Sequence, residues 1–172
     1  MRMCCLLRKF LKICDKFYMR QSLGMRFALF FALPALFILA VDFATKSAAK
    51  SLGFEVSFNS GVSFGFLAGT ASSFAVAAGV AVAAALFAIS CARLKDRSPL
   101  FVIGCGMMCG GAVGNVFDRL RFDSVVDWIT IPFSGIFFSN GLAANVADFA
   151  LCVGAVFAVV GILADGERDI VS

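Results

Sequence analysis

Four apolar runs constrain this chain more than any other feature: Phe27–Thr45, Gly69–Cys91, Leu100–Phe117 and Ala143–Ala164. Each falls within the roughly 17 to 25 residues that a helix needs to cross the hydrocarbon of a bilayer. Backbone amides have no water to bond there, so runs of this kind must be helical. With 61% of its 172 residues hydrophobic and 15% charged, the chain cannot be a soluble domain. The pattern predicts an all-α membrane protein: a four-transmembrane-helix bundle with a small extracytoplasmic β-ribbon cradle. A basic segment precedes the first run, as it does in a cleavable signal peptide. The length of that run and the three that follow favour a retained span.

Charge gives the predicted orientation. Of the 15 Lys and Arg, 11 lie before residue 27, in the loop after the second run or in the last residues; the other four are Lys46, Lys50, Arg119 and Arg121. The positive-inside rule then sets both termini in the cytoplasm. Residues 1–26 are expected to form a basic amphipathic cytoplasmic arm, because Leu6, Leu7, Phe10, Leu11, Cys14, Phe17 and Tyr18 recur at helical spacing opposite the charges. A disordered basic tail is the alternative. Residues 27–164 form the four-span unit and 165–172 a polar cytoplasmic tail. The net charge of +4 does not point to nucleic acid, since the basic residues flank apolar runs.

Local signals refine the segments between spans. Phe54, Val56 and Phe58 alternate with Glu55, Ser57 and Asn59; an Asn59-Ser60-Gly61 turn and then Val62, Phe64 and Phe66 complete a predicted two-stranded ribbon. Val125–Ile129 is a predicted strand, Pro132 a turn, and Asn140-Gly141 another turn. Ser98 and Pro99 supply an N-cap and N1 proline for the third helix. Gly106, Gly110 and Gly114 form a ladder of small residues suited to close packing.

The chemistry is restricted by what is missing. There is no histidine, so acid–base work falls to carboxylates, lysine, tyrosine or thiols. The seven cysteines contain no C-x-x-C pair, which points to neither a disulfide framework nor a zinc site. Cys105 and Cys109, one turn apart, are expected to be packing residues. No metal and no cofactor are expected. Acidic groups instead gather at the extracytoplasmic ends of the spans: Asp42, Asp118, Asp127 and Asp148. Charge at bilayer depth costs about 2.5 to 3.5 kcal/mol per residue, so it is normally paired, wet or functional. Two neighbouring aspartates share one proton, and the pair can activate water while polarising a carbonyl. Asp127 and Asp148 are the candidate dyad, although aspartates near helix N-termini are also commonly caps. Asp148, set slightly inside its helix, is the less natural cap. Asp118 and Arg119 suit local ion pairs, and Asn115 and Asn145 suit either structural bonding or site support. A carrier relaying protons through the carboxylates is the rival class, and it requires a polar path across the bilayer.

These residues carry a resemblance. Asp42-Phe43-Ala44-Thr45-Lys46, Asn59 to Phe64, Gly110 to Arg119, Val125 to Trp128 and Asn145-Val146-Ala147-Asp148 are similar, in order, to the blocks D-Q-x-T-K, N-x-G-x-x-F, G-G-A-x-G-N-x-x-D-R, V-x-D-F and N-x-A-D of the signal peptidase II family. The resemblance implies an aspartyl endopeptidase of the bacterial inner membrane, acting at its outer face. It would remove the signal peptide of a prolipoprotein just before a diacylglyceryl-modified cysteine. Asp127 and Asp148 would be catalytic. Asp42, Lys46, Asn59, Gly111, Asn115, Asp118, Arg119 and Asn145 would support the dyad or hold substrate. The implied partners are prolipoproteins and membrane lipid, with no nucleic acid, and the chain would act as a monomer. The aromatic residues from Phe54 to Phe66 and from Trp128 to Phe138 would cradle the acyl-bearing side. Phe43 for Gln, Asp123 for a Gly before V-x-D, Ala144 for Phe and Trp128 for Phe depart from the family pattern.

Overall fold

A computed structural model describes residues 9, 12–14, 16–18, 20–59, 72–93, 97–132, 134 and 142–171. Among the described residues there are four long helices: α1 (Leu23–Ser51), α2 (Ser72–Arg93), α3 (Pro99–Phe122) and α4 (Val146–Val171). Among the described residues, three stretches are long and apolar enough to cross a membrane, namely Leu23–Ser51, Pro99–Phe122 and Val146–Gly166, and α2 contains the shorter apolar stretch Ala78–Ser90. The protein is therefore a multi-pass membrane protein.

The helices overrun their predicted bounds. α1 starts at Leu23 on a Ser22 cap and ends at Ser51 rather than Thr45, with Asp42 and Lys46 bonded to neighbouring helices and Ala49 buried beyond them. Its turn at Ala28–Ala32 is widened to π geometry. That turn lies just before Pro34, which has no amide hydrogen and whose ring crowds the carbonyl four residues back. α3 opens as expected: the Ser98 hydroxyl accepts the Phe101 amide at 3.3 Å, with Pro99 at the first position. It continues beyond Phe117 to Phe122. α4 starts later than expected, at Val146, and continues past Ala164 to Val171. Asp165 is buried, accepting the Ser98 amide at 3.1 Å and facing Arg97 at 3.8 Å. It thus ties α4 to the start of α3.

α3 is the central helix. Its apolar window is 61% buried, against 11% for α1 and 22% for α4, whose outward side chains Leu36, Phe37, Val156 and Leu163 are exposed as lipid-facing residues are. Phe31, Phe101, Val102 and Cys105 form the core, with Phe27, Phe30, Leu86, Cys109 and Ala158 around it. The glycines of α3 explain how tightly it is enclosed. Cβ atoms at Gly106 and Gly110 would collide with the backbone of Phe31 and Ala35 on α1, and one at Gly104 would lie 2.6 Å from the Ala158 amide nitrogen on α4. Backbone atoms cannot yield as a side-chain tip can. Gly104→Ala is expected to cost about 1–3 kcal/mol by overpacking, read as a lower midpoint in reversible unfolding in mixed micelles.

Among the described residues, four three-residue strands lie at one end of the bundle: β1 (Ser57–Asn59), β2 (Val125–Asp127), β3 (Ile129–Ile131) and β4 (Leu142–Ala144). β1 pairs antiparallel with β2, aligning Ser57 with Asp127 and Asn59 with Val125; β3 pairs antiparallel with β4. The partner expected for β1, Val62 to Phe66, lies outside the described residues, as do Ile136 to Gly141. The single strand predicted over Val125–Ile129 is two strands in two sheets, broken at Trp128, whose amide bonds to Ala144 at 3.1 Å. Leu142–Ala144 is extended rather than the start of the last helix, because Asn145 caps that helix and the chain before a cap is not helical. Most of the arm before residue 20 is outside the described residues. Tyr18 is buried, with its ring edge-on to Phe30 at 5.1 Å.

Asp123 adopts a left-handed conformation, φ 53° and ψ 16°, at the C-cap of α3. Glycine takes that conformation without a Cβ penalty, and aspartate tolerates it better than most residues. This accounts for an aspartate where the family pattern has glycine.

Candidate active site

The polar residues singled out in the sequence converge where α1, α3 and α4 meet the strands. Asp42 and Lys46 sit one turn apart on α1 and are buried. The Lys46 ammonium lies 2.7 Å from Asp42 Oδ2 and 2.8 Å from Asp118 Oδ2 on α3, and donates to Asn115 Oδ1 at 3.3 Å. An ammonium has three hydrogens, and here each has an acceptor. Asp42 Oδ1 accepts the Ala147 amide at 3.0 Å, fixing the start of α4 to α1. Asp118 Oδ2 also accepts the Val126 amide at 3.1 Å, which sets β2 against α3. Gly114 leaves room for this arrangement, since a Cβ there would come within 2.8 Å of Asp42 Oδ2.

Asn115 and Asn145 connect this ion cluster to the two candidate catalytic carboxylates. Asn115 Nδ2 donates to Asp148 Oδ1 at 2.9 Å, while its Oδ1 accepts from Asn145 Nδ2 at 3.3 Å. Asn145 Nδ2 donates to Asp127 Oδ1 at 2.6 Å, and Asn59 Nδ2 donates to Asp127 Oδ2 at 3.2 Å. Asn145 therefore touches both acids: its side chain holds Asp127 and its backbone amide donates to Asp148 Oδ2 at 3.2 Å. In return the Asp148 amide donates to Asn145 Oδ1 at 3.0 Å. This reciprocal pair is a capping box. Asp148 is thus a cap as well as a member of this polar cluster, contrary to the expectation that its position inside the helix suits capping poorly. The box holds its carboxylate through the backbone of the first turn.

Arg119 donates to the Asn115 carbonyl at 3.4 Å and interacts electrostatically with Asp148, Asp127 and Asp118. Asp118 thereby has both the neighbouring charge expected of Arg119 and a longer-range partner in Lys46. Gly111 stands outside the polar network. A Cβ there would lie 2.6 Å from the Ala147 carbonyl oxygen, so its bareness sets the closeness of α3 and α4 at the site.

The strands make Asp127 unusual. It is 3% exposed, and burial, reinforced by the Asp148 charge, pushes its carboxyl up to about 6 against the opposing bonds from Asn59 and Asn145 and the charge of Lys46. Two neighbouring acids, one of which holds its proton well above the usual carboxylate range, can supply an acid and a base at once.

The model of the family described as signal peptidase (SPase) II matches residues 33–164, a stretch that contains every residue of this cluster. The chain belongs to the signal peptidase II family. The lipoprotein signal peptidase of Oleidesulfovibrio alaskensis is 35% identical over 148 residues, covering 77% of this chain and 92% of that protein. That of Pelotomaculum thermopropionicum is 29% identical over 146 residues, covering 77% and 90%. Two solved bacterial membrane enzymes, each 23% identical, share the fold with TM-scores of 0.64 and 0.60, covering 79% and 76% of this chain and 88% and 90% of theirs. This member of the signal peptidase II family is therefore a membrane-embedded protease by kinship.

Some of what shapes the site was not visible in the sequence of this peptidase family member. The Ser134 hydroxyl donates to the Ile131 carbonyl and accepts the Leu142 amide, both at 2.7 Å, closing β3 and β4 together. A lone serine in an apolar loop carries no signal for that role. Phe54 meets Trp128 edge-on at 6.1 Å, the one pair of the expected aromatic cradle within the described residues.

Proposed function

We propose that this chain is an aspartyl endopeptidase that removes signal peptides from diacylglyceryl-modified prolipoproteins, cutting immediately before the lipidated cysteine. The observation that carries the reading is the shared tether. One residue, Asn145, bonds both Asp127 and Asp148, so the two acids are held as a pair by α4 and β2 together. In the proposed step, a water oxygen attacks the scissile carbonyl carbon. Its proton passes to Asp148, while protonated Asp127 donates to the carbonyl oxygen. The tetrahedral intermediate then collapses: the C–N bond breaks, the amine leaves with the proton held by Asp148, and one of the intermediate's hydroxyls returns its proton to Asp127 as the new carboxyl forms. Asp148 stands in the first turn of α4, where the helix dipole favours negative charge. Lys46, Asp42, Asp118 and Arg119 position the pair through Asn115, Ala147 and Val126.

Four spans, cytoplasmic termini and a site at the outer face of the inner membrane complete the proposal. A lipid-anchored cysteine keeps the scissile bond at the interface, where a site built from helix ends can reach it. A proton carrier fits less well, since among the described residues the apolar core of Phe31, Phe101, Val102 and Cys105 separates the site from the Asp165–Ser98 cluster.

Incubating the purified chain with a diacylglyceryl-modified precursor and sequencing the mature product tests the specificity. The new N-terminus should be the lipidated cysteine; cleavage elsewhere, or none, removes the reading. The pH profile tests the acid. Activity needs protonated Asp127, so kcat/KM should fall as pH rises through about 6. Asn59 stabilises the charged form, and Asn59→Ala should move that limb to higher pH. A limb that stays in place disconnects it from Asp127.

A further inference from the structure

Beside the site, the outer flanks of α1 and α3 enclose an open groove of about 430 Å³ lined by Phe43, Phe117, Asp118, Leu120, Arg121 and Phe122. Its apolar walls are exposed, Leu120 at 67% and Phe117 at 49%, as walls that can accept an acyl chain are. At its rim stands a feature that peptide hydrolysis does not use. The Lys50 ammonium lies 4.1 Å from the centre of the Phe122 ring and 5.4 Å from that of Phe58, and the Arg121 guanidinium lies 5.1 Å from the Phe122 ring. Among the described residues neither cation pairs with a carboxylate. The one acid among the described residues lining the groove, Asp118, is committed to Lys46 and the Val126 amide, so it does not neutralise the two cations at the rim. Aromatic faces hold the two cations beside the groove without neutralising them.

We propose that this groove binds an anionic phospholipid of the phosphatidylglycerol type, with an acyl chain against Phe43, Phe117 and Leu120 and its phosphate between Lys50 and Arg121. The charge decides the occupant. A substrate's diacylglyceryl group is neutral and has no use for two unpaired cations, whereas a phosphate at the same depth meets both. The site goes beyond the peptidase reading and is tested without any cleavage.

Native mass spectrometry of the full chain released from detergent micelles, with equal amounts of dioleoyl-phosphatidylglycerol and dioleoyl-phosphatidylcholine, reads the preference. Each basic residue near a membrane surface contributes roughly a fivefold bias toward anionic lipid. Lys50→Gln and Arg121→Gln should each lower the phosphatidylglycerol preference by about that factor. The double variant should approach parity, and Lys50→Arg with Arg121→Lys should keep the preference. Equal binding of the two lipids by the unaltered chain overturns the proposal, and so does a preference that survives loss of both charges. Displacement of phosphatidylglycerol by equimolar dioleoylglycerol would also overturn it and return the groove to a neutral diacylglyceryl group.

Discussion

Replacing either Asp127 or Asp148 with asparagine should remove prolipoprotein cleavage, lowering kcat by at least the roughly 10²- to 10⁴-fold that a positioned acid or base contributes. Asparagine keeps the volume of the carboxylate but can neither take a proton from water nor deliver one. At Asp127 the amide can turn its oxygen toward Asn145 Nδ2, preserving the 2.6 Å bond, so the strand should keep its place. At Asp148 the substitution weakens one half of the capping box, a cost of about 0.5–2 kcal/mol. Helix content and unfolding midpoint therefore have to be measured alongside turnover. Asp165→Asn serves as the comparison, since it alters a buried acid at the opposite end of the bundle and should leave kcat within a few-fold. If either site variant processes precursor at the unaltered rate, the paired-acid chemistry is wrong whatever the family.

Lys46→Met should be the most destabilising single change in the site, by about 3–5 kcal/mol, as expected when one member of a buried ion cluster is removed. Methionine fills most of the volume but leaves Asp42 and Asp118, both buried and both within 2.8 Å of the missing ammonium, facing each other. One of them must then take up a proton or draw in water, and the bonds to Ala147 and Val126 weaken with it. Since those bonds seat α4 and β2, activity should fall together with stability. Pairing Lys46→Met with Asp42→Asn removes the repulsion and should restore part of the loss. Reversible unfolding in mixed micelles measures both. A single-variant loss below about 1 kcal/mol, the usual worth of an exposed pair, would show that the cluster is solvated and does not organise the site.

What could be read from the chain alone followed local rules. Apolar runs imply helices because lipid forbids unpaired backbone. Asp42 and Lys46 were legible as members of one block at the end of the first span, whereas their pairing at 2.7 Å was shown by the structure. Ser98 and Pro99 announced the start of α3 through capping chemistry. Asp42, Lys46, Asn59, Asn115, Asp118, Arg119, Asp127, Asn145 and Asp148 were identifiable as a set, and they do come together.

Everything that depends on which apolar face meets which neighbour required the tertiary structure. In a bilayer, hydrophobicity does not distinguish a side chain that faces lipid from one that faces protein, so the glycine ladder marked α3 for close packing without marking it as the central helix. Only packing shows Gly106 and Gly110 turned to α1 while Gly104 and Gly111 meet α4. Three-residue strands have too little alternation to reveal a partner, and so the pairing of Ser57–Asn59 with Val125–Asp127 could not be anticipated. That pairing brings Asn59 to Asp127 across 68 residues of chain. The tether through Asn145 has the same origin: the motif names the residue, but only the meeting of β2 with the first turn of α4 lets one side chain and its own amide hold two acids at once.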